Sequence, residues 1–244
     1  MTRSPKLIGS VYIVDAQNST RESLASAFRA AGFAVETFSN GRAFADEIAE
    51  RRSDPRGRCV LLELAVDDMD GLQVQQEIVA FLQPPPVIFL TSNGNISHAV
   101  RAMKNGAFDF FERTVPQEQL LTRIRAALSK DRALQRQRSK LRYLFLRYNR
   151  LSPREKEVLD LIINGHTSRQ IAARFGISVR TVENHRLQIT QKMRAENTID
   201  LARMVMSLTA GQLLRGSMSD LPVPKRQEAE IAADVSSTLS GMAD

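Results

Sequence analysis

The sequence predicts an α/β domain built on a five-stranded parallel sheet, joined by a helical linker to an all-α domain of four helices. Three observations lead there. Five short β-rich runs alternate with amphipathic stretches over residues 7–129, a long stretch without a strong breaker follows, and capped helical segments fill residues 150–209. Strict alternation of strand and helix makes the strands parallel and places helices on both faces of the sheet.

The strands are VYIVD (11–15), AVETF (34–38), CVLLEL (59–64), VIFLT (87–91) and FDFFE (108–112). Between them STRESLASAFRAAG, GRAFADEIAE, LQVQQEIVAFL, ISHAVRAMKNGA and PQEQLLTRIRAAL carry helical spacing bounded by breakers. In such a sheet, functional groups gather beyond the carboxyl ends of the strands. Asp15, Glu63, Thr91 and Arg113 all lie at or just past those ends and form the candidate site.

The linker, residues 130–149, continues the last of these helices. Leu120, Ala127, Leu134, Leu141 and Tyr148 recur every seven residues, with Ile124, Asp131, Arg138 and Phe145 on the alternate seam. The first series is mostly apolar and the second mixed, so two readings stay open: a dimerising helix, or a linker that shields a few apolar side chains.

Residues 151–208 carry the helical signals of the second domain. In LSPREKEVLDLIINGHT, Ser152 is the N-cap, Pro153 the first helical residue and Glu155 the capping-box partner. SRQIAARFGIS turns Ile171, Ala172 and Phe175 inward before Gly176, and Ser178 caps VRTVENHRLQITQKM, with Val182, Ile189 and Met193 facing the core. IDLARMVMSL is the fourth helix. Two helices joined through a glycine turn, the second rich in polar and basic side chains, form a helix-turn-helix pattern. The polar residues 217–244, with Pro222 and Pro224, are expected to be a flexible tail.

Composition narrows the function. The chain has 244 residues, 43% of them hydrophobic, enough for two small cores. One cysteine excludes an internal disulfide and cysteine-rich zinc sites, and its place in an apolar strand suits inert packing. His98, His166 and His185 show no metal spacing. No apolar run spans a membrane and no signal-peptide core is present, so a cytoplasmic protein is expected. The net charge of +7 is unevenly spread: residues 1–129 hold 14 Lys/Arg against 15 Asp/Glu, residues 130–216 hold 18 against 7, and the tail holds 2 against 5. A near-neutral first half and a basic second half point to a polyanionic partner for the second.

Two resemblances cover about residues 8–208. VYIVD, CVLLE…MDG, FLTSNGN and RAMKNGAFDFFER resemble, in order, the flavodoxin-like receiver domain of response regulators. LSPREKEVL, IAARFGIS and RTVENHRLQITQKM resemble the LuxR-type helix-turn-helix, and the whole resembles the NarL/FixJ subfamily of transcription factors. In that family, an acidic pair after the first strand and a phosphoacceptor Asp after the third bind magnesium. Here the resemblance sets Asp15 at the first acid, Ala16 at the second, Glu63 at the phosphoacceptor, Arg113 at the lysine of the fifth strand, and Thr114 at the proline after it. Thr91 and Phe110 match the switch hydroxyl and switch aromatic, and Val66-Asp67-Asp68 departs from the family's usual loop.

These departures bear on the chemistry. Magnesium asks for near-octahedral oxygen geometry, and Ala16 removes one carboxylate. Glu63 displaces its oxygens by over about 1 Å, and misplacement on that scale costs on the order of 100-fold in rate. Arg113 is always protonated and forked, suited to pairing with Glu63 or Asp15. Glu63 therefore reads as a fixed negative charge, either holding the receiver in one state without phosphorylation or surviving in a decayed site. No catalytic activity and no cofactor are expected, and the altered acids weaken any magnesium cage.

On the recognition helix, Glu183, Asn184 and Leu187 are expected to meet base edges: Asn184 suits adenine, Glu183 cytosine and Leu187 the thymine methyl. Arg180, Thr181, His185, Lys192, Ser168 and Arg169 are expected at phosphates or in positioning roles. The expected partners are double-stranded DNA, a second copy of the chain, and a sensor kinase or other signalling protein. The reading is a DNA-binding transcriptional regulator independent of aspartyl phosphorylation. Its rival is a pseudo-receiver that titrates a sensor kinase or sister regulator.

Overall fold

The computed structural model describes residues 7–50, 54–81 and 83–213, so the expected tail at 217–244 lies outside the described residues. The chain divides into two compact units, Met1–Arg136 and Gln137–Asp244.

The first unit is a five-stranded sheet of β1 (Ser10–Val14), β2 (Ala34–Phe38), β3 (Arg58–Leu62), β4 (Val87–Thr91) and β5 (Asp109–Glu112). All neighbours are parallel, in the order β2-β1-β3-β4-β5. Helices α1 (Asn18–Ala30), α2 (Gly41–Glu50), α3 (Gly71–Val79), α4 (Ile96–Lys104) and the start of α5 (Gln117–Asn149) cover it. The near-continuous apolar strands follow from burial on both faces, with alternate residues serving different cores. Val11, Ile13, Cys59, Leu61, Ile88 and Leu90 pack with Phe28 of α1 and Ile124 and Leu128 of α5. Tyr12, Val14, Val60, Leu62, Val87 and Phe89 pack on the other side with Phe44, Leu72 and Ile78. Cys59 is fully buried, and burial first, with Asp131 second, pushes its thiol pKa well up, as fits an inert side chain.

Helix α5 runs unbroken for 33 residues. Beyond residue 129 it still contributes to the first unit: Asp131 is buried, accepts from the Arg58 backbone N–H at 2.8 Å and the Arg58 Nε at 3.4 Å, and is bonded by Gln135. Further on, Leu141, Leu144, Phe145 and Tyr148 pack around Leu208 in the second unit. Most apolar members of the two heptad series thus pack against other parts of the chain.

The second unit adds α6 (Pro153–Ile163), α7 (Ser168–Phe175), α8 (Val179–Met193) and α9 (Thr198–Leu213). The capping box at Ser152 is formed, with Glu155 N–H donating to Ser152 Oγ at 3.2 Å and Ser152 N–H to Glu155 Oε2 at 2.6 Å. Thr167, one residue before the expected start, caps α7 through a second box with Gln170. Gly176 ends α7 at φ +64°, a left-handed turn that a side chain would strain, and Ser178 caps α8. Val158, Leu159, Ile171, Val182, Ile189 and Met193 form the core.

Candidate functional site

Asp15, Ala16, Glu63, Thr91 and Arg113 line one pocket of about 500 Å³ at the carboxyl ends of the strands, with Asp67 and His98 also on its wall. The order of strands places β1 and β3 side by side where the chain reverses direction across the sheet, the crevice in which such folds hold their site. Asp15 and Glu63 each follow their strand by one residue and are 3% and 7% exposed; Thr91, ending β4, is 1% exposed. The loop after β3 turns back sharply: Gly71 N–H donates to Leu64 O at 2.7 Å, and a Cβ on Gly71 would meet Glu63 O at 2.3 Å, so only glycine fits. Asp70 caps α3, while Asp68 accepts from the N–H groups of Gly41 and Arg42 at 2.7 and 2.9 Å and so caps α2.

Arg113 is the centre of the site. Its Nε and Nη2 donate to Glu63 Oε2 at 3.1 and 2.7 Å, and the same Nη2 bonds Asp15 Oδ2. The other Glu63 oxygen accepts from Leu64 N–H at 2.7 Å, and Oε2 also accepts from Ser92 N–H at 3.3 Å. Asp15 Oδ1 accepts from Gln17 N–H at 2.8 Å. All four carboxylate oxygens therefore have donors. Burial opposes the charge on Arg113, but its bonds to Glu63 and the two negative charges raise its pKa above the ordinary guanidinium value. The strand-end reading found the side chains of this triad; it missed the backbone N–H groups of Gln17, Leu64 and Ser92. Phe110 does not line the pocket: its ring packs on Phe89 at 5.8 Å, beside a second depression with Asn95 and Ile96.

In the second unit, Arg180, Asn184 and Leu187 recur at helical spacing on the exposed face of α8, with Glu183 beside them and Leu187 55% exposed. Gln191, which the sequence reading passed over, continues that strip. Arg169 is exposed and Ser168 and His185 are half-buried; the Thr181 hydroxyl bonds Ser178 Oγ at 2.8 Å and so belongs to the cap. Lys192, expected at a phosphate, meets a carboxylate within the fold. Its Nζ donates to both oxygens of Glu155 at 2.7 and 2.8 Å, because that buried carboxylate requires a cation. Arg147 donates to Met193 O at 2.9 Å, fixing the end of α8 to the last turn of α5.

Residues 11–125 match the response regulator receiver domain, and residues 149–205 match the luxR family of bacterial regulatory proteins. The response regulator protein TmoT of Ectopseudomonas mendocina is 34% identical over 198 residues, which is 81% of this chain and 88% of that protein. The chain belongs to the response regulators. The transcriptional regulatory protein FixJ of Bradyrhizobium diazoefficiens is 30% identical over 198 residues, covering 81% of this chain and 95% of FixJ. Among solved structures, the response regulator StyR matches with a TM-score of 0.73 at 33% identity, covering 81% of this chain and 98% of StyR. Full-length FixJ from B. japonicum matches at 0.51 and 29% identity, covering 84% and 99%. This response regulator is a two-component transcription regulator with a receiver domain and a LuxR-type helix-turn-helix DNA-binding domain. Among the described residues, no helix is long and apolar enough to cross a membrane.

The receiver resemblance implies a magnesium ion, and the residues present do not fit one. A guanidinium already sits between the two carboxylates, and every side-chain oxygen of Asp15 and Glu63 is occupied by a donor. Among the described residues, no group of three or more His, Cys, Asp or Glu side chains is arranged to hold a metal ion.

Proposed function

We propose that this response regulator controls transcription without an aspartyl phosphate, its receiver being held in a DNA-competent state by the Asp15–Arg113–Glu63 triad. The observation that supports this reading is the Nη2 of Arg113, bonded to both carboxylates at once. Phosphoryl transfer depends on positioning and charge neutralisation of an attacking oxygen. Glu63, at the position the resemblance gives to the phosphoacceptor, has one oxygen turned onto Leu64 N–H and the other held by a protonated guanidinium. Neither is free to attack. A fixed cation here supplies the neutralisation that a metal ion would otherwise provide.

The DNA contacts in this reading are Glu183, Asn184 and Leu187 at base edges, with Arg180, Arg169, Ser168, Thr181 and His185 at phosphates or positioning the helix. The protein acts as a homodimer on half-sites about one helical turn apart. The test is phosphorylation itself. Full-length protein incubated with acetyl phosphate and magnesium should gain no phosphoryl mass, and its DNA affinity should not change. A stable acyl phosphate mapped to Glu63 or Asp67 would contradict the proposal. A tight complex with a sensor kinase, without sequence-selective DNA binding, would favour the titration reading.

A further inference from the structure

The basic excess of the second half is not where the recognition helix alone would put it. Residues 130–149 carry 7 Lys/Arg and one acid, whereas residues 150–216 carry 11 Lys/Arg and 6 acids. Twenty residues of α5 therefore hold an excess of 6, more than the 5 of the whole helix-turn-helix segment. The one acid, Asp131, is buried against Arg58 and offers nothing to the surface. In the helix-turn-helix unit, Lys192 pairs with Glu155 at 2.7 Å, Arg154 with Glu157 at 2.9 Å and Arg203 with Asp200 at 2.5 Å, while the exposed Arg169, Arg174 and Arg180 make no ion pair among the described residues. On α5, Arg132, Arg136 and Lys140 have no such partner among the described residues. Arg136 and Lys140 are exposed and Arg132 half-buried.

Their spacing is four residues, so the three charges stand above one another on one side of the helix, about 6 Å apart along its axis. Like charges at that spacing repel and weaken a helix. A solvated helix face normally interleaves acids with bases, as the first 129 residues do with 14 bases against 15 acids. A row of unpaired cations maintained against that repulsion suits an external polyanion. Duplex DNA carries one negative charge per about 1.7 Å of axis, dense enough to meet all three.

We infer that Arg132, Arg136 and Lys140 form a second DNA-backbone contact, outside the helix-turn-helix, that grips phosphates without regard to sequence. The inference rests on the DNA-binding reading of the second unit and adds a surface to it. The strip supplies affinity and salt dependence, while the recognition helix supplies sequence preference.

The test measures binding of full-length protein to a random-sequence duplex several helical turns long, by fluorescence anisotropy over a series of KCl concentrations. R132Q/R136Q/K140Q removes the charges but keeps good helix formers; R132K/R136K/K140R keeps the charges. The first variant should lower the slope of log affinity against log salt by about 2 to 3, at about 0.9 for each phosphate no longer neutralised, and weaken binding at low salt at least about tenfold. The second should keep the wild-type slope. An unchanged slope in the glutamine variant overturns the inference while leaving DNA binding intact. Loss of slope in both variants also overturns it, since packing and not charge would then be at work. If the glutamine variant instead loses only its binding to a polyglutamate probe, the strip serves an acidic protein and the inference fails. If wild type shows no salt-dependent binding to any duplex, the DNA reading fails and the inference with it.

Discussion

Asp15 and Glu63 are both buried in the pocket, and Arg113 is the cation that pairs with them. Removing one partner of a buried pair costs about 3–5 kcal/mol because it leaves the other charge unpaired. With the Arg113 side chain 19% exposed, water screens part of that loss, and Arg113→Ala should destabilise the receiver by about 2–4 kcal/mol. Adding Glu63→Gln to Arg113→Ala should recover a good part of the loss, because a neutral amide needs no cation. Urea denaturation of wild type, both single variants and the double variant checks this. Additive effects would mean that the triad carries no coupling. The triad's side chains were legible in the sequence because apolar strands ending in acids are unusual. Their backbone donors were not, since a loop's N–H directions are set by its turn and not by residue type.

At the scale of elements, Glu155 joins the start of α6 to the end of α8. Burial pushes its carboxyl pKa up, but hydrogen bonds from Lys192 and Ser152 and the Lys192 charge outweigh this and hold it below the ordinary value of 4.5. A depressed folded pKa means stability that is present above the unfolded value and lost as pH falls through the folded one. The helix-turn-helix domain should therefore lose stability on acidification below about 4.5, and Glu155→Gln should flatten that part of the profile. Lys192→Ala should lower the thermal stability of this domain even without DNA. Thermal unfolding followed by circular dichroism from pH 3 to 7 measures both, and an unaltered melting temperature for Lys192→Ala would mean that the pair with Glu155 adds no stability. The sequence showed Glu155 as a capping residue and Lys192 as a surface base. Their pairing across 37 positions depends on how the helices cross, which local pattern does not carry. Asp131 likewise reads as a flaw in a heptad until the fold brings it to Arg58, 73 residues away.

For the whole molecule, alternation of strands and helices, capping residues and glycine turns agree with one another at every step. That agreement is why both folds and the order of domains could be read from the chain. The regulatory state could not, because it depends on which groups meet in the pocket. On the proposed function, the triad itself sets the DNA-competent state. The most direct measurement is binding of untreated full-length protein to a genomic fragment library, beside Glu63→Ala and Glu63→Asp. Tight, sequence-selective binding by untreated wild type, weakened at least about tenfold (about 1.4 kcal/mol) in Glu63→Ala, is the predicted result. Equal binding by all three proteins, or selective binding by wild type only after phosphodonor treatment, would contradict it.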